Sequence, residues 1–252
     1  MTPEREKEAI KEKQVIRVAF VVGEYPGSER KRRMDAALAY SSAEVEVGIV
    51  GVPATPYLHG LTPAELQLVA PAFIDAFRRA EAEGYDAVVP LGMLDLGVDG
   101  GRSAVDIPVI GPCQASLHIA AQLGDRIGLI GYHEILTPMM EDLVHRHGMS
   151  DWVVGWRSTG IDLPDLAANH DAVVENFVAA ARSLIEKDRA DVIIPMGISQ
   201  CPVHIKPDWL ARELGVPVVE GIGAPIRLAA MFAGLGLRHS RKRWPKSPSF
   251  SS

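Results

Sequence analysis

One stretch of this sequence occurs twice. Tyr85-Asp86-Ala87-Val88-Val89-Pro90-Leu91-Gly92 corresponds position by position to Ala190-Asp191-Val192-Ile193-Ile194-Pro195-Met196-Gly197. Further on, Asp106-Ile107-Pro108-Val109-Ile110-Gly111 returns as Gly215-Val216-Pro217-Val218-Val219-Glu220-Gly221, with the offset grown from 105 to 109 residues. A repeat on this scale decides how many units the chain builds, so it constrains the fold before any local motif does. Agreement in Asp, Pro and Gly, in the same order, points to a duplicated lobe and a pseudo-two-fold relation between its copies.

The units themselves read as α/β. Val15–Val22 is a β-branched run closed by Gly23, the pattern of a strand covered on both faces of a parallel sheet. Similar runs follow at Val45–Val52, Ala87–Pro90, Val109–Gly111, Ile127–Gly131, Val192–Pro195 and Val216–Val219. Helical segments separate them. Thr62-Pro63-Ala64-Glu65 is a capped start with Gly84 at the far end, and Pro71 is expected to kink or split that helix. Thr137-Pro138 opens a second helix that Gly148 ends, and Val174, Phe177, Ala181, Leu184 and Ile185 form the apolar stripe of a third. Alternating strands and helices imply mostly parallel sheets. Residues 1–14 read as a solvated leader, 15–111 plus 220–240 as the first lobe, 112–219 as the second, and 241–252 as a basic Pro/Ser tail.

Charge and cysteine usage narrow the function. The formal charge of the 252 residues is -6, and five bases (Arg238, Arg241, Lys242, Arg243, Lys246) crowd the last fifteen positions, leaving -11 for the rest. Such a body is a poor partner for nucleic acid. No apolar run is long enough for a bilayer, and Met1-Thr2-Pro3-Glu4 begins a charged stretch without a signal-type core. Two cysteines, Cys113 and Cys201, are too few for a disulfide framework. The expectation is a cytoplasmic protein that binds neither membrane nor nucleic acid. In open parallel sheets ligands sit beyond the carboxyl ends of strands, so the loops after Gly92 and Gly197 should line one cleft if the lobes face each other.

From Val15 to Pro245 the sequence resembles the Asp/Glu/hydantoin racemase superfamily. The resemblance rests on the duplicated strand-loop units, on Asp106-Ile107-Pro108-Val109-Ile110-Gly111 running into Ala115-Ser116-Leu117-His118, and on the closing Gly236-Leu237-Arg238-His239-Ser240. It implies two flavodoxin-like lobes, a chain that crosses between them twice, a site at their interface that needs no cofactor and no metal, and a homodimer or larger homo-oligomer. It further implies a racemase or isomerase acting on a small anionic substrate, a carboxylate or cyclic amide, at an acidic carbon next to a carboxylate or amide carbonyl. Inversion through a planar carbanion needs an acid/base on each face. Typical members supply one cysteine from each lobe, at the positions held here by Gly92 and Gly197. A decarboxylase, other lyase or hydrolase working from one side of the cleft, and a non-catalytic anion-binding protein, are the alternatives.

With those thiols replaced, other residues must be weighed. Cys201 lies four positions past Gly197, where a loop thiol near a helix start can acquire the depressed pKa of a base. Tyr132 and His133 follow the Ile127–Gly131 strand and are its expected acid/base partners. Glu24 and Tyr25, after the first strand, together with Gly92, Met93, Gly197, Ile198 and Ser199, are the expected substrate-binding positions. Arg30-Lys31-Arg32-Arg33 reads as a solvated helix face from which one arginine could reach a carboxylate. Cys113 reads as buried in the second lobe. Cys201-Pro202-Val203-His204 lacks the further ligands a structural zinc requires. Gly221-Ile222-Gly223 reads as a source of backbone N–H groups for an anion or for a hinge.

Overall fold

The computed structural model describes residues 15–23, 25, 28–53, 62–161 and 166–248. Two three-stranded parallel sheets organise them. The first, ordered β2-β1-β3, is built from β1 (Ile16–Val22), β2 (Val45–Gly51) and β3 (Ala87–Pro90). The second, ordered β5-β4-β6, is built from β4 (Ile127–Gly131), β5 (Val153–Ser158) and β6 (Val192–Pro195).

The repeat read from the sequence persists at the level of single hydrogen bonds. Asp86 accepts the Arg17 N–H at 2.8 Å and Asp191 accepts the Arg126 N–H at 2.9 Å, so each duplicated aspartate pins the start of its lobe's central strand. Val88 bridges to Val109, and Ile193 to Val218, preserving both offsets. The Val109–Gly111 and Val216–Val219 strands expected from sequence shrink to these bridges, because a helix begins almost at once after each and turns the chain away from the sheet.

Eight α-helices cover the sheets: α1 (Glu29–Leu38), α2 (Pro63–Ala82), α3 (Val98–Ala104), α4 (Pro112–Ala120), α5 (Thr137–Arg146), α6 (His170–Lys187), α7 (Pro207–Leu214) and α8 (Gly223–Gly234), counted among the described residues. Thr62 and Glu65 form the reciprocal cap that begins α2. That helix is not split at Pro71. A proline removes one intrahelical bond, whereas Val69, Phe73, Ala76, Phe77 and Ala80 together bury a whole face of the helix. The expected stripe on α6 also buries, through Phe177, Ala181 and Leu184, with Val174 and Ile185 packed at its margin.

Side chains of β1 alternate between two cores. Ala19 and Val21 join Phe73 and Phe77 beneath α2, while Val18, Phe20 and Val22 join a larger core that runs on into the second sheet through Leu129, Ile130 and Ile194. At about 25 cal/mol per Å² of apolar area removed from water, this second core is what holds the halves together. Each sheet takes cover from a helix outside its own run of strands: α8 packs on β1 and β3, and α4 packs on β6 and on α8. Residues 238–248 also lie on the first sheet's side. Arg241 donates to the Arg102 carbonyl at 2.8 Å and the Val105 carbonyl at 2.6 Å, and pairs with Asp106.

Candidate active site

All four central loops leave the carboxyl ends of β1, β3, β4 and β6, the place that parallel packing reserves for a ligand. Two of them meet directly: a side chain on Gly221 would strike Met93 from the β3 loop and Ile198 from the β6 loop together. The first turn of α1 meets the β6 loop as well. Arg33, only 1% exposed, donates from Nη2 to Ser199 Oγ, spanning 166 residues of sequence. One arginine of the basic run thus turns inward, while Lys31 and Arg32 make only local pairs on the helix with Asp35 and Glu29.

Arg33 is fixed on several sides. Its Nη1 donates to the Glu29 carboxylate at 2.8 Å, and its guanidinium lies over the Tyr25 ring, 4.0 Å from the centroid. Its Nε–H is buried and has no acceptor among the described residues. Burial alone would raise the Glu29 carboxyl; Arg32, Arg33 and His204 outweigh it and hold that group below its ordinary range. Burial pushes the Tyr25 phenol up to about 12 against the opposing pull of Arg33.

Tyr132 is the second anchor. Its hydroxyl oxygen accepts the Ser199 N–H at 2.9 Å. Its ring closes the space over Gly197, since a Cβ there would stand 2.5 Å from the ring's Cε2 and Cζ. Burial raises the Tyr132 phenol, while Ser199 and the charge of Arg33 favour its anion. Gly92 presents the opposite situation. Its φ of +104° suits glycine, and a Cβ there would meet nothing within 4 Å. Of the two positions at which the resemblance leads one to look for thiols, one is filled by a tyrosine ring and the other faces open room.

The remaining expectations divide. Tyr25, Met93, Tyr132, Ile198 and Ser199 come together with Gly92 and Gly197 around this junction, and His133 is half-buried on the Tyr132 turn. Glu24 lies outside the described residues. Cys201 does not have the depressed thiol pKa expected of it. It is fully buried, and burial together with the nearby Glu220 carboxylate pushes its thiol well above the ordinary value, with Lys206 a weaker opposing influence. Cys113 is buried as well, and burial and Asp95 raise it too. The anion held by the Gly221–Gly223 turn is the chain's own: Glu220 accepts the Ile222 and Gly223 N–H groups, each at 2.6 Å, and the Tyr40 hydroxyl at 2.7 Å. His204 pairs with Glu29 at 3.3 Å, and among the described residues no three His, Cys, Asp or Glu side chains are grouped to hold a metal. Sequence reasoning left Arg33 as one of four alternatives and did not weigh Glu220; the fully polar run gave no sign of which arginine turns inward.

Comparison with known proteins agrees with this architecture. The family model for Asp/Glu/hydantoin racemase matches residues 32–229. The chain belongs to the Asp/Glu/hydantoin racemase family. As a member it is an isomerase of the racemase type. Hydantoin racemase from Pseudomonas sp. (strain NS671) is 30% identical over 181 residues, covering 72% of each chain, and hydantoin racemase from Rhizobium meliloti is 29% identical over 71% of this chain and 76% of that one. In structure the fold is similar to allantoin racemase from Pseudomonas fluorescens, with a TM-score of 0.80 and 24% identity over 92% of this chain and 97% of that one. Allantoin racemase from Klebsiella pneumoniae gives a TM-score of 0.83 at 19% identity, over 92% and 94% of the two chains.

Proposed function

We propose that this racemase inverts a stereocentre α to a carbonyl in a small cyclic amide or carboxylic acid, held between the Gly92–Met93 turn and the Tyr132–Ser199 pair. The observation that carries the reading is Tyr132, whose ring occupies the space beside Gly197 and whose oxygen accepts the Ser199 N–H. A buried phenol is neutral at rest and gives a proton readily to a carbanion; the Arg33 charge and the Ser199 N–H lower the cost of the phenolate left behind, so the same oxygen can take a proton back. The uncommitted Nε–H of Arg33 offers a donor to the oxygen on which charge develops as the α-proton leaves. On the other face Gly92 supplies no side chain, and solvent in the room beside it completes the exchange: it takes the α-proton when the phenol protonates the opposite face, and returns a proton when the phenolate removes one. Cys201 is a packing residue in this scheme, because a buried thiol beside a carboxylate resists the ionisation a base requires. Relatives that act on hydantoin and allantoin favour a cyclic amide as substrate. Two unpaired cysteines suit a reducing cytoplasm, and a homodimer or larger homo-oligomer is the proposed assembly.

The test is exchange at the substrate's α-carbon. In deuterium oxide, single enantiomers of substituted hydantoins, allantoin and amino acids should lose optical activity as deuterium enters. Tyr132→Phe should lower that rate by about 10²–10⁴-fold without lowering the melting temperature by more than a few degrees. A fully active Tyr132→Phe enzyme would overturn the assignment. The bare face at Gly92 supports a second reading, one-sided decarboxylation of a malonate, for which carbon dioxide release without racemisation is the signature.

A further inference from the structure

A second cavity, of about 530 Å³, is lined by residues of α2, α3 and α5 together with Asp95, Gln114, Arg243 and Trp244. None of the candidate site residues lines it. Three of its lining side chains, Arg102, Arg146 and Arg243, are cations, against the two carboxylates of Asp95 and Asp99. Arg102, 6% exposed, commits Nε to the Val109 carbonyl at 3.1 Å and Nη2 to Gln114 Oε1 at 2.7 Å. Arg102 and Arg243 both lie over Trp244, 5.0 and 5.1 Å from its ring centroid, so one indole collects two cations. The Trp244 Nε1–H is buried and has no acceptor among the described residues. Arg146, exposed at the end of α5, makes no hydrogen bond or ion pair among the described residues.

The carboxylates present do not balance these charges. Asp95 is already occupied by the Cys113 N–H at 2.8 Å, the Gln114 N–H at 3.2 Å and His147 at 3.1 Å. Asp99 is 64% exposed and stands 3.6 Å from Arg102. Three guanidinium groups around one cavity repel one another, and a multiply charged anion relieves that repulsion. Guanidinium forks match the oxygens of a phosphoryl group in spacing and in plane. We propose that this cavity binds the phosphoryl group of a small molecule, with Arg146 and Arg243 as its movable clamps and Arg102, held over the Trp244 ring, as its fixed floor. The site stands apart from the racemase reading and does not depend on it.

Titration calorimetry of the full chain with inorganic phosphate and with pyrophosphate, at ionic strength fixed with potassium chloride, tests this. Saturable binding is expected, tighter for pyrophosphate. Arg146→Gln combined with Arg243→Gln should weaken it by at least about tenfold, since a charge-assisted contact contributes more than a neutral one. Trp244→Phe, which keeps an aromatic ring beneath the two guanidinium groups, should weaken it less. Arg182→Gln, which alters an exposed pair with Glu213 elsewhere, should bind as the parent does. Heat that does not saturate, or equal affinity in the doubly substituted protein, would overturn the proposal.

Discussion

The ring of Tyr132 stands in the space that any side chain on residue 197 would need, although 65 positions separate it from Gly197 in the chain. Each residue is therefore a condition for the other. Gly197→Ala should destabilise the protein by about 1–3 kcal/mol, the usual cost of forcing atoms into a filled core. In a Tyr132→Ala background the same change should cost much less, giving a coupling of at least about 1 kcal/mol in a double-mutant cycle. Chemical denaturation of the four proteins measures it; additive costs would contradict the geometry.

Arg33 links the two halves at its own position. Arg33→Met would leave the Glu29 carboxylate without one of its cations and Ser199 Oγ without its donor. Breaking a buried pair by removing one partner costs about 3–5 kcal/mol. The loss should be visible by denaturation without substrate. Arg33→Lys should recover part of the stability and less of the racemisation, because an ammonium lacks the planar fork whose separate nitrogens reach Glu29, Ser199 and a substrate oxygen.

Neither thiol should behave as a reactive nucleophile. Cys113 and Cys201 are both fully buried, with thiols pushed well above their ordinary range. Iodoacetamide at neutral pH should label neither in the folded protein and both after denaturation, as counted by intact mass. Cys201→Ala should keep racemisation within a few-fold of the parent; a loss comparable to that of Tyr132→Phe would return Cys201 to the mechanism.

His239 makes stability depend on pH. Its Nε2 accepts the Val109 N–H at 2.8 Å, and burial, aided by Arg102, depresses its pKa from 6.5 to about 4. Between those values the unfolded chain binds a proton that the folded chain refuses, so this residue's contribution is intact above about pH 6.5 and is lost as pH falls toward 4. Thermal melts across that interval should show the slope, and His239→Gln, which keeps an acceptor but cannot titrate, should flatten it.

Much of the fold was legible because duplication leaves its mark in residues that do one job. Asp86 and Asp191 are alike because each holds the first N–H of a central strand, and the Pro-Val pairs are alike because each ends in one bridge to its sheet. β5 escaped notice for an equally physical reason. It is an edge strand, half-buried along its whole length, and Gly155 and Arg157 interrupt the apolar run that marks its neighbours. The site was legible as a set of loops and not as chemistry. That Arg33 would turn inward and Tyr132 would cover Gly197 are encounters between distant segments, which no local pattern encodes. The Cys201 environment was misjudged because nearness to a helix start in sequence says nothing about the carboxylate of Glu220 arriving from another loop.

The placement of α8 bears on how the protein is made. Because residues 223–234 lie over β1 and β3, a ribosome that has delivered the whole first half has released a sheet whose Val18, Phe20 and Val22 side carries α1 but still lacks the rest of its lid. Folding in order of synthesis, one half after the other, is closed to such a chain. The nascent first half must wait, its apolar side only partly covered, for a segment made more than a hundred residues later.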